Sequence, residues 1–275
     1  MEMYRNCRPE ELWQKIRSGE IDGPTAGMCS GYAQANLAIM PRAYAEDFKE
    51  FARKNPKPCP ILEIVEGGPE IHDMGEGATL LTDLPRYFIY RNGVKEEEVT
   101  DITGYWQDDF VGFLIGCSFS FEEALLEAGI DVRHISMGCN VPMYKTNIEC
   151  EKAGVFEGPT VCSMRPMTPE VAKKAAEITG QYPNVHGAPI HIGDPAVIGI
   201  ADIAKPDYGD SVEIREGEIP VFWACGVTPQ AAVERAKPPI VITHAPGHMF
   251  VTNIKNTELN AYLDEKIKKN QRKNG

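Results

Sequence analysis

Between His186 and Gly199 the sequence runs HGAPIHIGDPAVIG, residues that titrate, bind and turn rather than only fill a core. His186 and His191 are five apart with Pro189 between them, so they cannot share a helix face. In an extended segment an odd spacing sends the rings to opposite faces, unless the proline twists the chain. Gly193-Asp194-Pro195 reads as a turn: glycine takes an unusual φ, aspartate bonds its own backbone and proline ends pairing. The plainer reading of the stretch is a structured loop with one core histidine. Cys117 and Ser118 form a second candidate. They precede Ser120-Phe121-Glu122-Glu123, a capping box with Ser120 as N-cap and Glu123 at N3. Free N–H groups there can hold an anion and lower a thiol pKa; an ordinary cap beside a buried cysteine fits as well. Gly226, Thr228 as N-cap and Pro229 follow an apolar strand, as a binding loop does at the carboxyl end of a sheet strand.

The elements that must position these residues can be read along the chain. Pro9–Arg17 is a helix with Leu12, Trp13 and Ile16 on one stripe. Tyr32–Met40 and Pro41–Lys54 read as two more helices, and Gln107–Gly116 as an apolar one. Pro60–Val65 is a strand. Tyr87–Tyr90 and Val94–Val99 form a hairpin across Asn92-Gly93. Asn140–Asn147 and Thr160–Met164 are strands, and Thr168-Pro169 caps a helix to Thr179. Val197–Ile200, Ile219–Cys225 and Ile240–Thr243 are short apolar strands. Thr257–Lys269 is the last helix, with Leu259, Leu263 and Ile267 as its apolar edge; the Lys/Arg-rich end after it reads as solvated. Strand–helix alternation at both ends predicts an α/β protein with a mainly parallel sheet flanked by helices, built on strands near residues 61, 198, 221 and 241. The texture changes in the middle. That predicts a smaller inserted α+β unit at 131–195 between two parts, 1–130 and 196–275, of the main α/β domain.

Composition narrows the function. The 275 residues carry a formal charge of −12, which argues against a nucleic-acid partner. The longest apolar run, Phe110–Cys117, is far short of the roughly 20 residues of a spanning helix, so no membrane partner is expected. The first residues, MEMYRNCRPEE, carry no apolar stretch of a secretory signal. The eight cysteines contain no CxxC pair, which suits reduced thiols in a cytoplasmic protein. A homo-oligomer is compatible with the sequence.

Several longer stretches, taken in order, resemble one family. Gly23-Pro24-Thr25-Ala26-Gly27-Met28, Asn55-Pro56-Lys57-Pro58-Cys59-Pro60 and Thr82-Asp83-Leu84-Pro85-Arg86-Tyr87 begin the match. Gly116-Cys117-Ser118-Phe119-Ser120-Phe121-Glu122, Asn140-Val141-Pro142-Met143-Tyr144, His186-Gly187-Ala188-Pro189 and His191-Ile192-Gly193-Asp194-Pro195 continue it. Pro206-Asp207-Tyr208-Gly209-Asp210, Phe222-Trp223-Ala224-Cys225-Gly226-Val227-Thr228-Pro229-Gln230 and His244-Ala245-Pro246-Gly247-His248-Met249-Phe250 complete it. Over roughly residues 5–253 the chain is similar to the bacterial putative hydro-lyase family, related to the D-glutamate cyclase that closes D-glutamate to 5-oxo-D-proline and releases water. Cys29 departs from the pattern, where alanine is the commoner residue.

The resemblance implies a lyase acting on a small carboxylate. Such chemistry needs a grip on the carboxylate, for which Arg86 or Arg165 is suited. It needs proton transfer, for which His186, His191, His244 or Asp194 is suited, and donors to an oxyanion. The helix starts after Cys117 and Gly226 are candidate donors, and Ser118, Asn140 and Thr228 join them as candidate substrate-binding residues. A covalent role for Cys117 is disfavoured, since a thioester from a free carboxylate is uphill without an activating nucleotide and no GxxxxGK[ST] loop is present. No cofactor and no metal is expected, because the histidine spacings match no ligand signature such as HExxH. Two alternatives stay open. One is a metal-dependent hydro-lyase or hydrolase using His186, His191, His244, His248 and Asp194; the other is a metabolite-binding subunit that turns nothing over.

Overall fold

The computed structural model describes residues 4–273, with side chains described as far as Lys266. The side chains of Ile267 and the Lys/Arg-rich end, and the first three residues, lie outside the described residues.

In chain order the elements are α1 (Pro9–Arg17), β1 (Tyr32–Pro41), α2 (Arg42–Lys54), β2 (Ile61–Val65), β3 (Glu70–Ile71), β4 (Ala78–Thr79), β5 (Tyr87–Arg91), β6 (Val94–Val99) and β7 (Phe110–Gly116). Then come α3 (Phe119–Glu127), α4 (Arg133–Met137), β8 (Met143–Glu149), β9 (Pro159–Met167), α5 (Pro169–Thr179), β10 (His191–Ile192) and β11 (Ile219–Ala224). The chain finishes with α6 (Thr228–Ala236), β12 (Val241–His244), β13 (Phe250–Lys255) and α7 (Asn256–Lys273). A seven-stranded sheet has the order β2-β7-β1-β12-β5-β6, with β13 also beside β1; a four-stranded sheet has the order β10-β11-β9-β8.

The expectation of a mainly parallel sheet is overturned: every strand pairing among the described residues is antiparallel. The physical reason lies in β7. β1 and β2 both pair antiparallel with β7, so they point the same way, as strands joined by a helix should. They are not neighbours, however, because β7 fills the slot between them. Of the strands assigned to the main sheet, those near 61 and 241 are there. The one near 221 is β11 of the small sheet, and Pro195–Ile198 is a single 3₁₀ turn. Residues 131–195 supply β8, β9 and β10 of the small sheet, while β11 comes from beyond them.

Two segments read as helices are the central strands. β7 is buried along its whole length, with Val111, Phe113 and Ile115 packed against Phe48 and Phe51 of α2, and Phe110 and Leu114 in the other core layer with Phe121 and Trp223. A strand covered on both faces loses its polar alternation and cannot be told from a buried helix by pattern alone. β1 alternates Ala33, Ala35, Leu37 and Ile39 toward one layer with Ala38 and Met40 toward the other. The Asn92-Gly93 hairpin and the Thr168 cap, whose Oγ1 accepts from the Val171 amide at 3.4 Å, form as the sequence predicts. The cap of α3 differs: Ser118 is its N-cap, and the Ser120 hydroxyl accepts instead from the Gln34 amide at 2.8 Å.

Candidate active site

Three of the loops that carry the motifs, at 116–118, 184–187 and 226, meet around Asn36 of β1. Asn36, a buried amide on β1, donates from Nδ2 to the carbonyl of Gly116 at 2.7 Å and leaves Oδ1 without a partner. A Cβ added at Gly226 would overlap this amide, and one added at Gly116 would overlap the Asn184 carbonyl, so both glycines are required by close approach. The turn at 183–187 thereby presses on the end of β7. His186 in that turn has φ +84, a left-handed backbone uncommon for a residue with a β-carbon. Its Nδ1 lies 2.8 Å from the Lys57 carbonyl. A carbonyl only accepts, so Nδ1 carries the proton and the buried, unpartnered Nε2 presents a bare lone pair. Burial, moderated by the Lys57 carbonyl and reinforced by the Arg165 charge, pushes the His186 pKa down to about 4.

Arg165 on β9 is fully buried. Its Nε donates to Glu122 Oε1 at 2.9 Å, Nη1 to Ser163 Oγ at 3.0 Å and Nη2 to Ser118 Oγ at 3.0 Å; Nη2 also bonds Glu122 Oε1. The guanidinium lies over the Phe121 and Trp223 rings, 5.3 and 5.4 Å from their centroids. Glu122 Oε1 is also 3.3 Å from His134 Nε2, while among the described residues Oε2 takes no hydrogen bond. Burial raises the Glu122 pKa, but His134 and Arg165 outweigh it and hold the carboxyl below its ordinary range. Glu122 and Gln34 line a cleft of about 260 Å³ walled by residues 26–32, Phe119, Leu126 and Ile135. That volume suits a ligand smaller than a drug-sized molecule. Asn256, also lining it, has an Oδ1 without a partner among the described residues.

The sequence profile of the D-glutamate cyclase family matches residues 111–253. A protein of Stutzerimonas stutzeri named "Putative hydro-lyase" is 57% identical over 257 residues, 93% of this chain and 97% of that one. "Putative hydro-lyase YcsI" of Bacillus subtilis is 57% identical over 252 residues, 91% of this chain and 98% of its own. The chain belongs to the D-glutamate cyclase family. A solved structure, that of a nitrogen repressor-like protein from Methanococcus jannaschii, covers 90% of this chain and 99% of its own at 12% identity and a TM-score of 0.33, too low to inform the fold.

In this D-glutamate cyclase family member, the residues that sequence reading singled out fall into two groups. Cys117 and Ser118 follow Gly116, the turn that carries His186 packs on Gly116, Gly226 meets it through Asn36, and Arg165 donates to Ser118. Burial pushes the Cys117 thiol well up, so its place at a helix start does not lower its pKa. The first amides of α3 are engaged by Cys117 and Ser118 themselves: Phe119 N–H donates to Cys117 Sγ at 3.4 Å, and Ser120 and Phe121 N–H to the Cys117 and Ser118 carbonyls. The other group has structural employment. His191 Nε2 is 2.8 Å from the Asp194 carbonyl, and Asp194 caps the turn through the Ala196 amide. Arg86 is ion-paired at the surface with Asp22 and Glu98. Thr228 Oγ1 donates to the Cys225 carbonyl at 2.7 Å and accepts from the Val161 amide at 3.0 Å, clamping α6 to β9. Asn140 Nδ2 donates to the Pro246 carbonyl at 3.0 Å. His244 fills a gap in the sheet where β12 ends and β13 begins along β1, its Nδ1 lying 3.1 Å from the Leu37 nitrogen. Among the described residues no group of three or more His, Cys, Asp or Glu side chains is arranged to hold a metal ion.

Glu122, His134, Ser163 and Asn36 are absent from the sequence-based candidates. Asn36 had a signal: a single amide in an otherwise apolar run, Ala35 to Met40, with no turn residue near it. Glu122 stands beside the residue given the capping role. His134 and Ser163 carry no local pattern.

Proposed function

We propose that this chain removes water from, or adds it to, a small carboxylate, with closure of D-glutamate to 5-oxo-D-proline as the leading case. In that reaction the amine nitrogen bonds to the side-chain carboxyl carbon. Two N–H protons leave the nitrogen, and one carboxylate oxygen departs with them as water. The observation that carries the reading is Glu122, which lines the cleft and is ion-paired to the buried Arg165. A buried guanidinium beside a carboxylate with one unengaged oxygen complements the carboxylate and ammonium of an amino acid. Ser118 supports an oxyanion role: its oxygen accepts from Arg165, which leaves its O–H free to donate. His186 supports the proton transfers, because a neutral imidazole with a bare nitrogen takes a proton and, being a weak base, releases it readily to departing oxygen. Cys117, whose Sγ takes the Phe119 amide, and Gly226, packed against Asn36, take no covalent part.

The test is turnover by purified protein of D-glutamate, L-glutamate, 5-oxoproline and small hydroxy acids, read as mass change. D-Glutamate should lose water, and His186→Asn should lower kcat by about 10²–10⁴-fold, the usual weight of a general acid–base group. Tight binding without turnover of any carboxylate would replace the lyase with a metabolite-binding subunit. Turnover unchanged in His186→Asn would remove His186 from the chemistry.

A further inference from the structure

The loop that walls the cleft carries a feature the hydro-lyase reading does not use. Cys29 Sγ lies 3.1 Å from Cys7 Sγ, and among the described residues these are the two thiols in mutual hydrogen-bond contact. Both hang from one turn ahead of α1: the Cys7 and Cys29 amides donate to the Tyr4 carbonyl at 3.4 and 3.0 Å, and the Ser30 amide to the Arg5 carbonyl at 2.6 Å. Cys29 holds φ +46, a left-handed conformation that a β-carbon disfavours, so the backbone is constrained where the thiol meets its neighbour. Cys29 is buried and Cys7 half-buried, which gives the pair one accessible and one shielded sulfur. A disulfide needs the sulfurs about 1 Å closer.

We propose that Cys7 and Cys29 are a reversible dithiol–disulfide site that takes a low-molecular-weight disulfide as its co-reactant. Closing it staples the segment ahead of α1 to the loop at 26–31. The Cys7 thiolate attacks one sulfur of the external disulfide, forming a mixed disulfide and releasing one thiolate. Cys29 then loses its proton and attacks Cys7 Sγ, the internal S–S bond forms, and the second external thiolate leaves. The protein loses two electrons, the external disulfide gains them, and the two thiol protons end on the released thiols. Burial, with the Cys7 neighbour adding to it, raises the Cys29 pKa, so the Cys29 proton has to be removed as the second step proceeds.

Full-length protein is equilibrated across a glutathione redox series, remaining thiols are alkylated, and non-reduced peptides are mapped by mass. The alkylatable thiols should fall by two from eight, with a Cys7–Cys29 linked peptide that disappears on reduction. Amide exchange at 4–8 and 27–31 should slow in the oxidised form. Cys29→Ala should stop at a glutathione adduct on Cys7, while Cys139→Ala, removing another half-buried thiol, should leave the linked peptide unchanged. A wild-type chain that carries the adduct on Cys7 but never the linked peptide overturns the proposal. So does a linkage of Cys7 to any other cysteine, or to a second chain.

Discussion

Two imidazoles buried in neutral form make acidification a direct probe of the site. Burial pushes both His186 and His244 from 6.5 down to about 4 in the folded protein. The unfolded chain therefore binds more protons than the folded one between those values. Stability is complete above pH 6.5 and falls as pH drops toward 4. One pKa unit corresponds to about 1.4 kcal/mol, so lowering pH from 7 to 5 should cost about 2 kcal/mol per histidine. The pair accounts for about 4 kcal/mol, a large part of the roughly 5–15 kcal/mol that holds a domain folded. Glu122 does not compete in this window. Its folded pKa lies below the ordinary 4.5, so its contribution is complete above that ordinary value and is lost as pH falls from there through the lower folded value. Urea unfolding at a series of pH values measures the slope. His186→Asn is the informative variant: asparagine tolerates the positive φ and can keep a donor to the Lys57 carbonyl, yet does not titrate. Its stability should fall by about 2 kcal/mol less than that of wild type between pH 7 and 5. Parallel curves for the two proteins would refute a buried neutral His186.

Other expectations follow from the same contacts. Arg165→Met leaves buried Glu122 with His134 as its remaining partner and should cost about 3–5 kcal/mol in urea unfolding, most of it recovered by adding Glu122→Leu. Gly226→Ala sets a methyl against the Asn36 amide and should lower stability by about 1–3 kcal/mol, visible as a drop in Tm. Thr228→Val keeps the shape but orphans the buried Val161 amide, for about 1–3 kcal/mol by the same assay.

What the sequence made legible depended on whether the determinant was local. Asn92-Gly93 fixes a hairpin and Thr168-Pro169 a helix start through contacts within a few residues, and both appear where expected. β1 and β7 were misread because their strand state is imposed from outside. The alanines, Leu37 and Met40 of β1 favour helix on intrinsic grounds, and only pairing on both edges overrides them. With these two central strands read as helices, the remaining strand–helix alternation points to parallel pairing. The motif loops at 117–118, 186 and 226 were legible as chemistry. The partner that shapes Arg165, Glu122, comes from 43 residues away, a separation no local pattern reports.

The interposition of β7 bears on how this chain must be assembled. β1 and β2 emerge first, roughly 4.8 Å from where a shared neighbour should stand on either side. Residues 110–116 are synthesised well after both. Until then the inner edges of two apolar strands stand unpaired, and such edges template association with other chains. The slot can close only through contacts of long sequence separation, which is a slow class of event. The vulnerable species is thus the nascent chain ahead of Phe110, and a chaperone that shields strand edges would have most effect before β7 is made.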